Sequence, residues 1–380
     1  MGRVLLLAVL CCLGVCGCRS DVQSSGPFST AARVNPDLDN KAIQRSYRDG
    51  FSNDFIALSG SQLNQDLIIS SFEQLMTLQR ASLPIEELRD NFTSLGYFQQ
   101  ASSAGIAGIC NAKRNFVGLV AALTKQQAQQ HGQPTGELPC GNGQRISALP
   151  LGHDAKIFAV SAANTFINAI NLAQLAKASQ AANGKLHWSD LNPDWPQRRV
   201  QWIVPAQMPF SAHLQELGIQ LPAQFTIAAD YTKIFEAAAS NPDALIFSFY
   251  SPSLNARLQG NNFKLLAAQA NAQEPAINPT PQTISSTYPQ SLETDIVLYI
   301  NESKPNACIA VSLADYLLSF NQRLLLENNM APLDSDQRQQ ALKKLDQLLA
   351  RTASSTTPFC LDDLRRSAEY QNARLSRTAP

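Results

Sequence analysis

Charge is scarce in this chain. Asp, Glu, Lys and Arg make up 16% of its 380 residues, and 30 basic residues cancel 30 acidic ones. A neutral chain has no net field to draw it onto nucleic acid or an anionic lipid surface, so neither is expected as a partner. Beyond the N-terminus no run approaches the ~18 consecutive apolar residues of a membrane helix, so no membrane span is expected there. CxxC spacing is missing, and with it the usual cysteine framework of a zinc site. No GxGxxG follows a strand, so Gly141-Asn142-Gly143 reads as a loop rather than a nucleotide fingerprint. GxSxG, HExxH and P-loop patterns are absent as well, and no nucleophile–base pair stands out. An enzyme, a bound cofactor and a resident metal are therefore not expected. There is also no internal repeat.

What is present begins at the N-terminus. Met1-Gly2-Arg3 carries one positive charge, and residues 4–15 form an uncharged apolar run. Twelve such residues are too few for a bilayer, which needs ~20. Val15-Cys16-Gly17-Cys18 follows, with a large aliphatic residue three places before Cys18 and a small one just before it. This is the pattern of a bacterial lipoprotein signal: cleavage before Cys18, lipid on its sulfur and amine, and a tether outside the cytoplasm. An ordinary cleaved signal peptide is the competing reading. Removal of the first 17 residues leaves 363 of the 380. Arg19, where an aspartate would retain the protein at the inner membrane, fits release to the outer membrane of a Gram-negative cell. Three of the eight cysteines leave with the signal; Cys110, Cys140, Cys308 and Cys360 remain beside the lipidated Cys18. Four cysteines allow three pairings, and an oxidising compartment favours two disulfides.

A chain of this length suits one or two domains of ~150 residues. Residues 18–50 are polar and weakly periodic and read as a tether. Strands are expected near 55–58, 92–98, 116–123, 156–160, 200–204, 244–250 and 295–301. Helices are expected near 67–78, 105–112, 209–217, 232–240, 311–326 and 334–350, with one more following the 156–160 strand to about 176. Residues 269–286 contain three prolines and few large apolar side chains, and read as a loop or crossing. The alternation of strands and helices argues for an α/β fold with mostly parallel sheets.

The middle of the chain is more specific. Leu151-Gly152-His153-Asp154-Ala155-Lys156-Ile157-Phe158-Ala159-Val160-Ser161 is followed by Lys185-Leu186-His187-Trp188-Ser189-Asp190-Leu191-Asn192-Pro193-Asp194-Trp195-Pro196. Together they resemble the phosphate-binding proteins of ABC uptake systems, where a "GxDxxxVxVN" strand precedes a helix and a "kWsdlNPxWP" loop. Ile109-Cys110-Asn111-Ala112-Lys113 is similar to that family's "FCxGE" segment. Thr287-Tyr288-Pro289 and Ile296-Val297-Leu298-Tyr299-Ile300-Asn301 are similar to its return strand. The resemblance spans roughly 54–350, and the WSDLNP stretch is its most distinctive part.

The resemblance implies a two-lobed type II periplasmic-binding-protein fold, with mixed sheets flanked by helices and a hinge of crossing strands. Lobe one would comprise 51–150 and 278–350, lobe two 151–277, and 351–380 a C-terminal tail. It also implies a Cys110–Cys140 disulfide, which leaves Cys308 for Cys360 and pins the tail to lobe one. Phosphate or a related small solute would sit in the interlobe cleft and pass to an ABC permease.

Binding a phosphate dianion requires donors that replace its hydration shell: hydroxyls, helix N-termini and an arginine. Four family motifs supply them, and they are kept unequally here. The first reads Gly60-Ser61-Gln62-Leu63, retaining the turn and Ser61 and placing Gln62 beside it. The second reads Ser102-Ser103-Ala104-Gly105 and is the best kept. In the third, a "DFxxASR" strand end, Val120 and Ala121 replace the serine and the charged residue. In the fourth, a "PGxxSGT" loop, the chain has Pro205-Ala206-Gln207-Met208-Pro209-Phe210-Ser211, which leaves Ser211 as its donor. Leu292-Glu293-Thr294-Asp295 stands where the family has "LSRP".

The candidate ligand set is thus Ser61, Gln62, Ser102, Ser103 and Ser211. Each charge-assisted bond is worth ~1.5–3 kcal/mol, so losing several would weaken phosphate binding by orders of magnitude. Two readings follow: a solute receptor, or a receptor fold that has lost its ligand and serves in envelope interaction or assembly. Set against these, Ser61 and Ser102 also suit helix caps. His153, His187 and His213 suit structural or surface roles, Asp154 a local cap or pair, and Trp188 and Trp195 packing. The lipid tether is tested directly: Cys18→Ser is expected to move the protein from the membrane to the soluble fraction on cell fractionation.

Overall fold

Hydrophobic periodicity switches repeatedly between two and 3.6 residues along the chain, and the elements follow it. The computed structural model describes residues 55–60, 64–82, 94–99, 105, 108–110, 116–122, 137–140, 144–206, 208, 210–228, 231–239, 241–250, 262–304, 307–319, 322–328 and 330–352. The signal, the tether with Cys18, and the tail with Cys360 lie outside them. No helix among the described residues is long and apolar enough to cross a membrane.

The chain opens with β1 (Phe55–Gly60), α1 (Gln65–Ser82), β2 (Ser94–Gln99), β3 (Phe116–Ala122) and β4 (Glu137–Pro139). On α1 the buried Leu67, Ile68, Phe72 and Leu75 form one apolar stripe. The long β5 (Arg145–Ser161) leads to β6 (Ala169–Asn171), α2 (Leu172–Ala181), α3 (Trp188–Leu191) and β7 (Gln201–Pro205). Asn171 caps α2 by accepting from the Gln174 N–H at 2.9 Å, and Asn183 and Gly184 end it with φ of 46° and 75°. Then come α4 (Phe210–Glu216), β8 (Phe225–Ala228), α5 (Tyr231–Ala238), β9 (Ala244–Phe249), β10 (Phe263–Leu265), β11 (Ala267–Gln269) and α6 (Pro281–Ile284). The last elements are β12 (Glu293–Asn301), α7 (Ala307–Ser319), α8 (Gln322–Glu327), β13 (Ala331–Pro332) and α9 (Ser335–Thr352).

One large sheet runs in the order β2-β1-β3-β12-β5-β9-β7-β8, with β4, β10 and β13 also pairing to β5. β1, β2 and β3 are parallel, as are β7, β8 and β9. Between these groups β12 is antiparallel to both β3 and β5, and β5 is antiparallel to β9. The sheet is therefore mixed. The expectation of mostly parallel strands holds for its two flanks and fails at the crossing strands, which run back through the middle.

The expected 156–160 strand is only the end of β5. Its first ten residues contain Pro150, Gly152, His153 and Asp154, a poor strand composition. The ladder absorbs the proline at a bulge: Ile296 pairs with Gly152 and Val297 with Pro150, so Leu151 is skipped. Gly152 is required by close approach, since a Cβ there would lie 2.7 Å from the Ala331 carbonyl oxygen of β13. The helix expected directly after β5 begins only at Leu172. The single helix expected over 311–326 is two: α7 is buried on every side, whereas α8 exposes Arg323 and Leu326.

Three cores result. One surrounds β7, β9 and the second half of β5, with Trp188 fully buried. A second packs α1, α7 and α9 on the opposite half of the sheet. A third, smaller one holds Ile109, Cys140 and Tyr299. Cys110 and Cys140, 30 residues apart, are joined by a disulfide, and Cys308 is also disulfide-bonded.

Glu302, at the end of β12, accepts from Arg351 of α9 at 2.8 and 2.9 Å and from the Ser147 hydroxyl of β5. Burial alone would raise its carboxyl, but these bonds from Arg351 and Ser147 outweigh it and hold the pKa below the ordinary 4.5. Stability from this link is fully present above the ordinary value and is lost as pH falls through the lower, folded-state value. Urea midpoints measured from pH 7 to 3 are expected to fall less steeply below about pH 4.5 in Glu302→Gln than in the parent.

Candidate functional site

β5 passes from one half of the sheet to the other at Asp154–Lys156: residues up to Ala155 pair with β12, and Lys156 onward with β9. Chemistry concentrates at this junction. His153 is buried, with Nδ1 2.8 Å from Glu293 Oε1 and 3.0 Å from Asp295 Oδ1, and Nε2 2.8 Å from Gln337 Oε1. Burial opposes charge on the ring, but the bonds to Asp295, Glu293 and Gln337 prevail and raise its pKa to about 10. The neighbouring Asp154 carboxylate accepts from the Ala155 N–H at 2.7 Å, a local bond of the kind expected for it. Its burial pushes the pKa up to about 8, against the opposing effect of the Ala155 and Tyr250 N–H groups.

Beyond the junction, the buried Lys156 places Nζ 3.7 Å from Glu216 Oε2 of α4. The same oxygen lies 3.4 Å from Nδ1 of His213, which is fully buried and stands edge-on to Phe249. Burial lowers the His213 pKa; Glu216 opposes this and Lys156 adds to it. His213 Nε2 has no hydrogen-bond partner among the described residues. The Lys156–Glu216 pair anchors α4 to the crossing strand.

The four motifs meet different fates. Ser61, Gln62, Ser102 and Ser103 lie outside the described residues, although Gly60 and Gly105 beside them are placed. A Cβ on Gly60 would come within 2.2 Å of the Tyr97 hydroxyl and 2.5 Å of the Val120 carbonyl oxygen, so the backbone there is closely covered. Val120 and Ala121 are fully buried, in the second and third cores respectively. In the fourth motif Phe210 is buried against Phe225, with ring centroids 4.6 Å apart. The backbone donors are spent internally: Ala206 N–H on Ala228 O at 2.8 Å, Met208 N–H on Pro205 O at 3.1 Å, and Phe210 N–H on Met208 O at 2.7 Å. Pro209 has none to give. Ser211 is exposed in the first turn of α4 and remains the motif's available hydroxyl.

The WSDLNP stretch forms α3 and the loop after it. Trp188 packs edge-on to Phe166 at 5.4 Å and Trp195 to Trp188 at 6.4 Å, so both tryptophans serve packing. Asn192, Pro193 and Trp195 also line a surface cavity of about 410 Å³ with Asn171, Gln174 and Gln269. Sequence reading did not assemble the His153–Glu293–Asp295 or the His213–Glu216–Lys156 group. One signal was available: Glu293 and Asp295 are two apart on a strand, which puts both carboxylates on one face. Their histidine comes from 142 residues earlier, by pairing alone.

No protein-family model matches the chain, and no curated protein matches it. Solved structures do. The chain is similar to a Clostridium perfringens protein assigned as a phosphate ABC transporter substrate-binding protein, solved with bound phosphate. Identity is 13%, coverage 74% of this chain and 100% of that one, and the TM-score 0.51. It also matches an ABC-type phosphate transport receptor from Vibrio cholerae, at 13% identity, 73% and 99% coverage and a TM-score of 0.49. At such identities the likeness concerns the fold. The described residues carry the mixed α/β fold of the type II periplasmic binding proteins, the fold on which phosphate-binding proteins of ABC transporters are built.

Proposed function

We propose that this is an exported solute-binding protein, tethered through lipid on Cys18 to the periplasmic side of an envelope membrane, the outer one if the cell is Gram-negative. It captures a small polar solute of the oxyanion class, phosphate being the first candidate, and presents it to an ABC permease. The observation that carries this reading is the fold shared with a protein solved with phosphate bound. The ligand would lie between a lobe built from 51–150 and 278–350 and a lobe built from 151–277. β5 and β12 act as the hinge, and closure is driven by contacts that both lobes make with the solute. Ser61, Gln62, Ser102, Ser103 and Ser211 are the proposed donors. No reaction is performed.

A second reading has its own support. Val120, Ala121 and Phe210 are buried, and the N–H groups of Ala206, Met208 and Phe210 in the fourth motif are internally bonded. A fold so altered at its anion-facing segments suits a degenerate receptor that works as an envelope interaction or assembly protein. Titration calorimetry of the mature protein with inorganic phosphate separates the two. The receptor reading expects micromolar binding, weakened about a hundredfold or more in a Ser61→Ala, Ser102→Ala double variant. Absence of heat at millimolar phosphate sinks phosphate as the ligand and leaves the second reading standing.

A further inference from the structure

We propose that His153, Glu293 and Asp295 form a binding site for one divalent metal ion of the zinc type, laid across the junction of β5 and β12. His153 and Asp295 are direct partners in the β5–β12 ladder, and Glu293 is the next residue of β12 on the same face. Two carboxylate oxygens, at 2.8 and 3.0 Å, converge on one ring nitrogen. All three donor atoms lie within 4.8 Å of one another. In a tetrahedral site with bonds of ~2.0–2.2 Å, donors stand ~3.3–3.5 Å apart. The present spacing thus has to open by only a few tenths of an ångström around the nitrogen.

The adjustable groups are the carboxylates. Asp295 is 47% exposed and Glu293 22%, whereas the ring of His153 is 4% exposed and fixed. The exposed side of Asp295 leaves a direction for water as a fourth ligand.

The surroundings of the ring favour coordination through Nδ1. Gln337 Oε1 also accepts from the Asp334 N–H at 3.1 Å, which identifies that atom as the oxygen. Nε2, 2.8 Å from the same oxygen, must then carry a hydrogen. Nδ1 is left to offer its lone pair, with its own proton released to solvent as the metal enters. Metal-bound histidines are held in this way, by a hydrogen bond from the second nitrogen to a carbonyl or carboxylate. One imidazole with two carboxylates is a borderline donor set. It suits zinc and its neighbours over magnesium or calcium, which take oxygen alone. The donors also stand on paired strands, backed on the far side of β5 by β13 through Ala331. A bound ion would cross-link the two crossing strands and, through Gln337, hold the start of α9.

Equilibrium dialysis of the full chain against zinc, with metal analysis and X-ray absorption, tests the site. The expected result is zinc held by nitrogen and oxygen ligands, with one equivalent that Asp295→Asn and Glu293→Gln each weaken about tenfold or more. Cobalt in its place should give the intense visible bands of a four-coordinate ion. His153 is buried, and its replacement risks misfolding. Asp295 is half-exposed, so Asp295→Asn is the decisive variant, its folding checked by circular dichroism. Equal zinc uptake by the parent and a folded Asp295→Asn chain overturns the proposal, as does sulfur ligation of the equivalent in question or no uptake at all.

Discussion

The antiparallel pairing of β12 with β5 is the contact on which the rest of the structure depends. β5 is buried along nearly its whole length and pairs with one half of the sheet through its first residues and with the other through its last. Its backbone donors and acceptors are therefore satisfied by two different sets of strands. Shifting its register by one residue would exchange core-facing and outward-facing side chains in both halves at once. The bulge at Pro150 and the close approach at Gly152 fix that register. Glu302, bonded to Arg351 and to Ser147, ties the far end of the same ladder to α9.

Placing polar chemistry at such a crossing follows from its geometry. Strand ends and bulges interrupt the regular ladder, and side chains there reach both halves. His153 and Lys156 lie within four positions of β5, yet their partners come from β12, α9 and α4, while Asp154 between them is bonded locally to the Ala155 N–H. Burial so complete is costly for charges unless each is paired, and His153 and Lys156 are paired with carboxylates, whereas Asp154 has its pKa raised instead. In a hinged binding protein the crossing strands are where the halves rotate. On the proposed reading, groups that brace β5 and β12 would bear on how freely the lobes close.

Val120, Ala121 and Phe210, which stand at the segments resembling anion-binding motifs, are buried in the cores, where apolar burial contributes about 25 cal/mol per Å². The segments Gly60-Ser61-Gln62-Leu63 and Ser102-Ser103-Ala104-Gly105 stay nearest in sequence to the motifs they resemble.

By itself the sequence set the α/β class, most strands and helices, and the resemblance to phosphate-binding receptors, and it carries the pattern behind the proposed lipid tether. These are local patterns, read from periodicity, a cleavage motif and short residue strings. It also pointed to Val120, Ala121 and Phe210 as replacements, though not to where they went. Only the tertiary structure decided the mixed sheet, the full length of β5 and the joining of His153 to Glu293 and Asp295. A strand carrying Pro150, Gly152 and Asp154 looks unlike a strand until partners on both sides supply its hydrogen bonds. A histidine acquires two carboxylates 140 and 142 residues away only when the ladder sets them opposite. Long-range pairing leaves no local trace, because its free energy comes from contacts that exist only once the chain has folded.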